Sequence, residues 1–96
     1  MNLNLNNKKV LITGSSRGIG LAIAKSFLQE DAQTCLVSRG SKILFENEKK
    51  LQDEYGAGNI FALKCDCTDK RSLENLKQEI TKKWNGVDVV VVNVGD

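Results

Sequence analysis

The sequence predicts an α/β fold, a parallel sheet whose successive strands are joined through helices. Short runs rich in β-branched and other apolar residues alternate with longer segments of helical periodicity. The strand-like runs are apolar almost throughout, as expected of strands covered on both faces. Turn residues mark the changes of period. The order reads βαβαβαβ within one domain, residues 1–96. Strands connected through helices pair in parallel by right-handed crossovers.

The first strand is Lys9-Val-Leu-Ile-Thr13, which ends at a glycine. A helix follows around Gly20, with Ile19, Ile23 and Phe27 at i, i+4 and i+8, Ala22 beside them, and Lys25, Gln29 and Glu30 facing away. The second strand is Thr34-Cys-Leu-Val-Ser38. A weaker helical stretch runs from Lys42 to Tyr55, with Leu44, Leu51 and Tyr55 on one stripe. Gly56-Ala-Gly-Asn59 is a turn, and Ile60-Phe-Ala-Leu63, continuing to Cys65, is the third strand. Thr68 or Asp69 caps the third helix, whose stripe is Leu73, Leu76, Ile80 and Trp84. Asn85-Gly86 ends that helix, and Val87–Val92 is the fourth strand.

Composition narrows the function classes. A chain that is 41% hydrophobic and 27% charged is neither a disordered tail nor a fibre. The net charge of +2 comes from basic residues scattered along the chain, so no nucleic-acid partner is implied. The longest strongly apolar run, Val89–Val92, is too short to span a bilayer, so no membrane partner is implied. Three cysteines and no apolar leader fit the reducing cytoplasm. Cys65 and Cys67 form a Cys-x-Cys pair, but the chain lacks histidine and a fourth ligand for zinc, so Cys35, Cys65 and Cys67 read as small buried hydrophobes and no metal is expected. Asp88 reads as a capping or surface carboxylate, Lys82-Lys83 as the wet side of the third helix, and Trp84 as packing beneath the sheet.

The segment that carries chemistry is Thr13-Gly14-Ser15-Ser16-Arg17-Gly18-Ile19-Gly20, between the first strand and the first helix. Glycines permit a tight turn and let the backbone approach a diphosphate without a Cβ intervening. The helix start adds unpaired N–H groups and the positive end of its dipole. The loop lacks the G-K-[ST] of a Walker site, and the alternative to phosphate binding is a purely structural turn.

This loop resembles the cofactor loop of the short-chain dehydrogenase/reductase family, whose members bind NAD(H) or NADP(H) on a Rossmann sheet. Cys65-Asp66-Cys67-Thr68-Asp69 resembles the family's D-x-[TS]-D segment, and Val87–Gly95 resembles its fourth strand with the terminal N-N-A-G. The resemblance implies that Gly14, Gly18 and Gly20 shape the diphosphate turn. It places Ser16 and Arg17 toward the adenosine ribose and the Ile19 amide toward the phosphates. It implies that Asp66 hydrogen-bonds the adenine amino group, that the backbone of Cys67 meets the ring, and that Asn93 lies beside the ribose. Val92 and Val94 replace the first Asn and the Ala of the last motif.

The expected cofactor is NADP(H) rather than NAD(H). NAD sites place a carboxylate on the ribose about 20 residues beyond the glycines. Here that region reads Val37-Ser38-Arg39-Gly40-Ser41-Lys42, with no carboxylate. Arg39 and Arg17 can flank a 2′-phosphate, with Ser41 donating and Lys42 adding charge. The alternative is that Arg39 is a solvated loop residue.

In the family a tyrosine with a lysine four residues later, and a serine, act on the substrate. Tyr55 is the only tyrosine here, Asn59 stands four residues on, and no catalytic residue is expected within residues 1–96. The chain is therefore expected to be the adenosine half of a doubly wound sheet, truncated after the fourth strand, with order 3-2-1-4. Its fourth strand would be an open apolar edge, and only the third helix would cover one of the two faces. Such a chain would pair with a complementary C-terminal half or associate with itself through that strand. The alternative function is a non-catalytic nucleotide-binding remnant, or an interaction fragment that uses the edge.

Overall fold

The computed structural model describes residues 5–15 and 18–93. Ser16, Arg17 and Val94 lie outside them. The elements are β1 (Lys9–Thr13), α1 (Gly18–Gln29), β2 (Gln33–Ser38), α2 (Lys42–Tyr55), β3 (Ile60–Lys64), α3 (Lys70–Trp84) and β4 (Val89–Val91). The four strands pair in parallel in the order β3-β2-β1-β4. β1 and β2 are the inner strands, with Ile12 opposite Leu36 on one side and Val91 on the other.

Alternation along the strands splits the apolar residues between two faces. Val10, Ile12, Leu36, Ile60 and Ala62 point to the side where α1 and α2 supply Ala24, Leu28, Leu44 and Leu51. Leu11, Cys35 and Val37 point to the side where α3 supplies Ile80. The second face is the thinner, with Leu73 and Val90 left 41% and 59% exposed. This is the asymmetry that two helices on one face and one on the other should produce.

The α1 stripe differs from the expected one. Gly20, Ala24 and Leu28 are the buried positions, Ile23 and Phe27 are half-buried, and Ile19 is 72% exposed. The contact line is rotated by one residue because Gly20 and Ala24 let the helix backbone approach the sheet closely. The N-cap of α3 is Asp69, whose carboxylate accepts the Arg71 amide at 3.1 Å. Asn85 ends α3 in the left-handed conformation at φ 60°. β4 is shorter than the Val87–Val92 run: Val87 packs on the α3 face, and Asp88 holds the Lys9 amide at 2.8 Å where β1 begins. Trp84 meets Phe61 edge-on at 4.9 Å. Lys83 is not simply solvated, since its ammonium lies 4.9 Å over the Phe61 ring.

Candidate functional site

The carboxyl ends of all four strands open into one cleft of about 350 Å³. Its lining includes Thr13 and Gly14 after β1, Val37 to Arg39 at the end of β2, Cys65 to Thr68 after β3, and Val92 and Asn93 after β4. Open α/β sheets receive ligands outside the carboxyl ends of the strands, where the order reverses. In this chain β1 leads outward to β2 and β3, and the connection after β3 crosses back to β4 on the other side of β1, so the order reverses between β1 and β4.

The turn after β1 is held from both sides. Gly14 has φ +61°, and a Cβ there would stand 2.5 Å from the Asn93 carbonyl oxygen. The Asn93 side-chain amide donates to the Gly14 carbonyl at 2.9 Å, and its backbone N–H donates to Thr13 Oγ1 at 3.0 Å. On the other side Ser15 is fully buried. Its hydroxyl donates to the Ile12 carbonyl at 2.8 Å and accepts the Val37 amide at 2.9 Å. Gly20 packs so closely that a Cβ would run into the Gly14 carbonyl.

The turn after β3 presents Asp66. Thr68 donates to Asp66 Oδ1 twice, from its hydroxyl at 2.7 Å and its amide at 3.0 Å. These bonds hold the Asp66 carboxyl below the ordinary carboxylate value, and the Arg39 charge acts in the same direction. A group lowered on folding adds stability that is fully present above its unfolded value, about 3.9 for Asp, and is lost as pH falls through the folded value. In an NMR titration the Asp66 carboxyl carbon is therefore expected to move at a midpoint below about 3.9. Thr68→Val should bring the midpoint back up, and a midpoint at or above the ordinary value would contradict this geometry.

Five of the residues singled out in the sequence line the cleft: Gly14, Arg39, Asp66, Cys67 and Asn93. Gly18, Ile19 and Gly20 form the first turn of α1, beside the cleft rather than in its lining. Asn93 spends its amide on the glycine turn, which makes it a positioning residue for that turn. Cys67 departs from expectation. Cys35 and Cys65 are buried, but Cys67 is exposed at the cleft. Partial desolvation at the cleft wall pushes the Cys67 thiol up, as do neighbouring Cys65 and the Asp66 charge. Sequence reasoning assigned Thr13 and Ser38 no role of their own and offered Thr68 as a helix cap and as part of the Asp66 segment; the signal for all three is their position at or just after strand ends. Ser15 gave no signal, because a serine in a glycine-rich loop reads as a turn residue.

A parallel sheet in this order, with a glycine turn at the carboxyl end of its first strand, defines a Rossmann-fold protein. The family model described as short chain dehydrogenase matches residues 8–96, and the chain belongs to that family. It is 37% identical over 92 residues to a fatty acyl-CoA reductase of Acinetobacter baylyi, covering 96% of this chain and 30% of that protein. It is 40% identical over 88 residues to a benzil reductase of Saccharomyces cerevisiae, covering 92% of this chain and 33% of the relative. The L-sorbose reductase of Gluconobacter frateurii, solved with NADPH and L-sorbose, superposes with a TM-score of 0.92 at 31% identity. That match covers all of this chain and 36% of the reductase. The chain thus spans about a third of the length of these relatives. Among the described residues no helix is long and apolar enough to cross a membrane.

Proposed function

We propose that this chain holds the adenosine end of NADP(H) for an oxidoreductase that exchanges hydride with a carbonyl or alcohol carbon. The observation that carries the reading is the single cleft that joins the glycine turn, Arg39 and Asp66 at the strand ends. The turn fits a diphosphate because its closest positions bear no Cβ. The α1 start at Gly18 and Ile19 supplies amides and a positive dipole end beside it. In this reading Gly14, Gly18 and Gly20 shape the turn, Asp66 Oδ2 accepts from the adenine amino group, and the Cys67 backbone meets the ring. Asn93 keeps the turn in place beside the ribose, with Ser16 and Arg17 on the ribose side.

NADP(H) supplies the hydride, while the residues of this chain bind and orient it. Tyr55 is the last residue of α2, packed against the cluster that α1 and α2 cover. It does not line the strand-end cleft and has no lysine four residues on, so turnover is assigned to no residue between 1 and 96. Free thiols fit a reducing compartment such as the cytoplasm.

The choice of NADP(H) over NAD(H) rests on charge. The end of β2 carries Arg39 where a ribose-binding carboxylate would be needed for NAD. Ser41 begins α2 without a side-chain capping bond, so its hydroxyl is not used by the helix. Calorimetric titration with 2′,5′-ADP and 5′-AMP tests the assignment. The 2′-phosphate is expected to tighten binding by about tenfold or more, and equal affinities would reject it.

A second reading rests on β4, an edge strand whose Val90 is 59% exposed, with Val92 just beyond it 73% exposed. Such an edge supports pairing with a complementary C-terminal half or with a second copy. In sedimentation, self-association should then increase with concentration and be suppressed by Val90→Lys.

A further inference from the structure

Ser15 touches no cofactor group in the reading above, yet it is fully buried and its hydroxyl is used in both directions. That hydroxyl stands between the Ile12 carbonyl, to which it donates at 2.8 Å, and the Val37 amide, which it accepts at 2.9 Å. The Ser15 amide in turn donates to the Val37 carbonyl at 3.2 Å. Both backbone polar groups of Val37 are thus bound to the residue that directly follows Gly14 in the glycine turn. Arg39 stands just beyond Val37 on the same segment. On the β3 side that segment is held by the Ser38 carbonyl, which accepts the Cys65 amide at 2.9 Å. The Gly40 amide donates to Ser38 Oγ at 3.2 Å and closes a turn around Arg39. On the β1 side, past Thr13 where the strand ends, the hold is Ser15.

We propose that Ser15 is a positioning residue that fixes the distance between the glycine turn and Arg39, and through it the selectivity of the cleft for a 2′-phosphate. The proposal rests on the cofactor reading, in which the turn faces the diphosphate and Arg39 the 2′-phosphate. A ligand that carries both phosphates must meet the turn and Arg39 at once, whereas 5′-AMP meets the turn alone. Charge-assisted bonds act over a short reach, and an arginine fork is sensitive to direction as well. Without the hydroxyl, the Val37 amide and the Ile12 carbonyl lose their shared partner in a buried place. They regain partners only by shifting or by admitting water, and either change alters the spacing at the strand ends. The turn can then follow one phosphate while Arg39 fails to follow the other. The loss therefore falls mainly on the ligand that spans both.

Calorimetric titration of the full chain and its variants with 2′,5′-ADP and 5′-AMP reads the preference directly. From about tenfold in the unsubstituted chain, it is expected to fall to about threefold or less in Ser15→Ala. Ser15→Thr keeps the hydroxyl and is expected to keep the preference. An undiminished preference in folded Ser15→Ala, or an equal loss in Ser15→Thr, would overturn the proposal. Should Ser15→Ala not fold, Ser15→Cys, a weak donor and acceptor of nearly the same size, is held to the same expectation. Leu51→Ala removes a buried side chain of α2 on the other side of the sheet, and the preference should survive it. A matching loss there would show that the preference tracks stability, and would overturn the assignment to Ser15. Hydrogen exchange reads the joint without any ligand. The Val37 amide is expected to exchange about tenfold faster in Ser15→Ala relative to Cys35 on the same strand; an unchanged ratio would overturn the joint. If the unsubstituted chain binds neither ligand, or both equally, the cofactor reading and the selectivity fall together, while exchange at Val37 still decides the joint.

Discussion

Ile12→Ala is expected to cost about 2–5 kcal/mol of stability, the range for truncating a buried isoleucine. The upper part of that range applies here. Ile12 is fully buried on an inner strand, opposite Leu36 and Val91, under the cluster that α1 and α2 close. Neighbours hydrogen-bonded on both sides restrict the backbone shifts that would refill the space. Domains of this size have only about 5–15 kcal/mol in total, so a large fraction of the chain's stability rests on this residue. Urea denaturation should show a lower midpoint at unchanged slope. A loss below about 1 kcal/mol would mean that the sheet is not packed as described.

Gly14→Ala should damage both the fold and the site. An L-residue in the left-handed region costs about 1–2 kcal/mol, and the new Cβ would stand 2.5 Å from the Asn93 carbonyl. That oxygen accepts from Thr13 Oγ1 at 3.3 Å, so displacing it opens the join between β1 and the segment after β4. Together these effects amount to about 2–5 kcal/mol, including the cost of overpacking. Gly18→Ala separates the two contributions, because Gly18 has φ +64° with nothing within 4 Å of a Cβ. It should cost only the conformational part, about 1–2 kcal/mol. Equal stability losses for the two variants would contradict the close approach at Gly14. Nucleotide affinity should fall at least about tenfold in Gly14→Ala.

Most of the architecture was legible because strand and helix periods alternate cleanly. The α2 bounds, the Asn85 stop and the strand order follow from periodicity, turn residues and crossover handedness. The α1 stripe was not legible in the same way. Hydropathy marks Ile19 as a contact residue and passes over Gly20 and Ala24, yet small residues set how closely a helix lies on a sheet. β4 was overextended because Val87 is as apolar as its neighbours, but its place is under α3 rather than beside β1. The motif positions Gly14, Asp66 and Asn93 line the cleft; Asp66 is held by its neighbour Thr68, whereas the bonds that hold the glycine turn come from pairs far apart in sequence. Thr13 and Asn93 are 80 residues apart, and Ser15 and Val37 are 22 apart. No local pattern announces such partners.

Binding of an adenine dinucleotide in the strand-end cleft is tested most directly by titrating the isotope-labelled chain with NADPH and following the backbone amide resonances. Saturable shifts are expected at Gly14, Arg39, Asp66, Cys67 and Asn93, with the groove that Leu73, Leu76, Ile80 and Val87 line between α3 and the sheet unaffected. No saturable shift in a folded chain, or shifts confined to the α3 face, would contradict it.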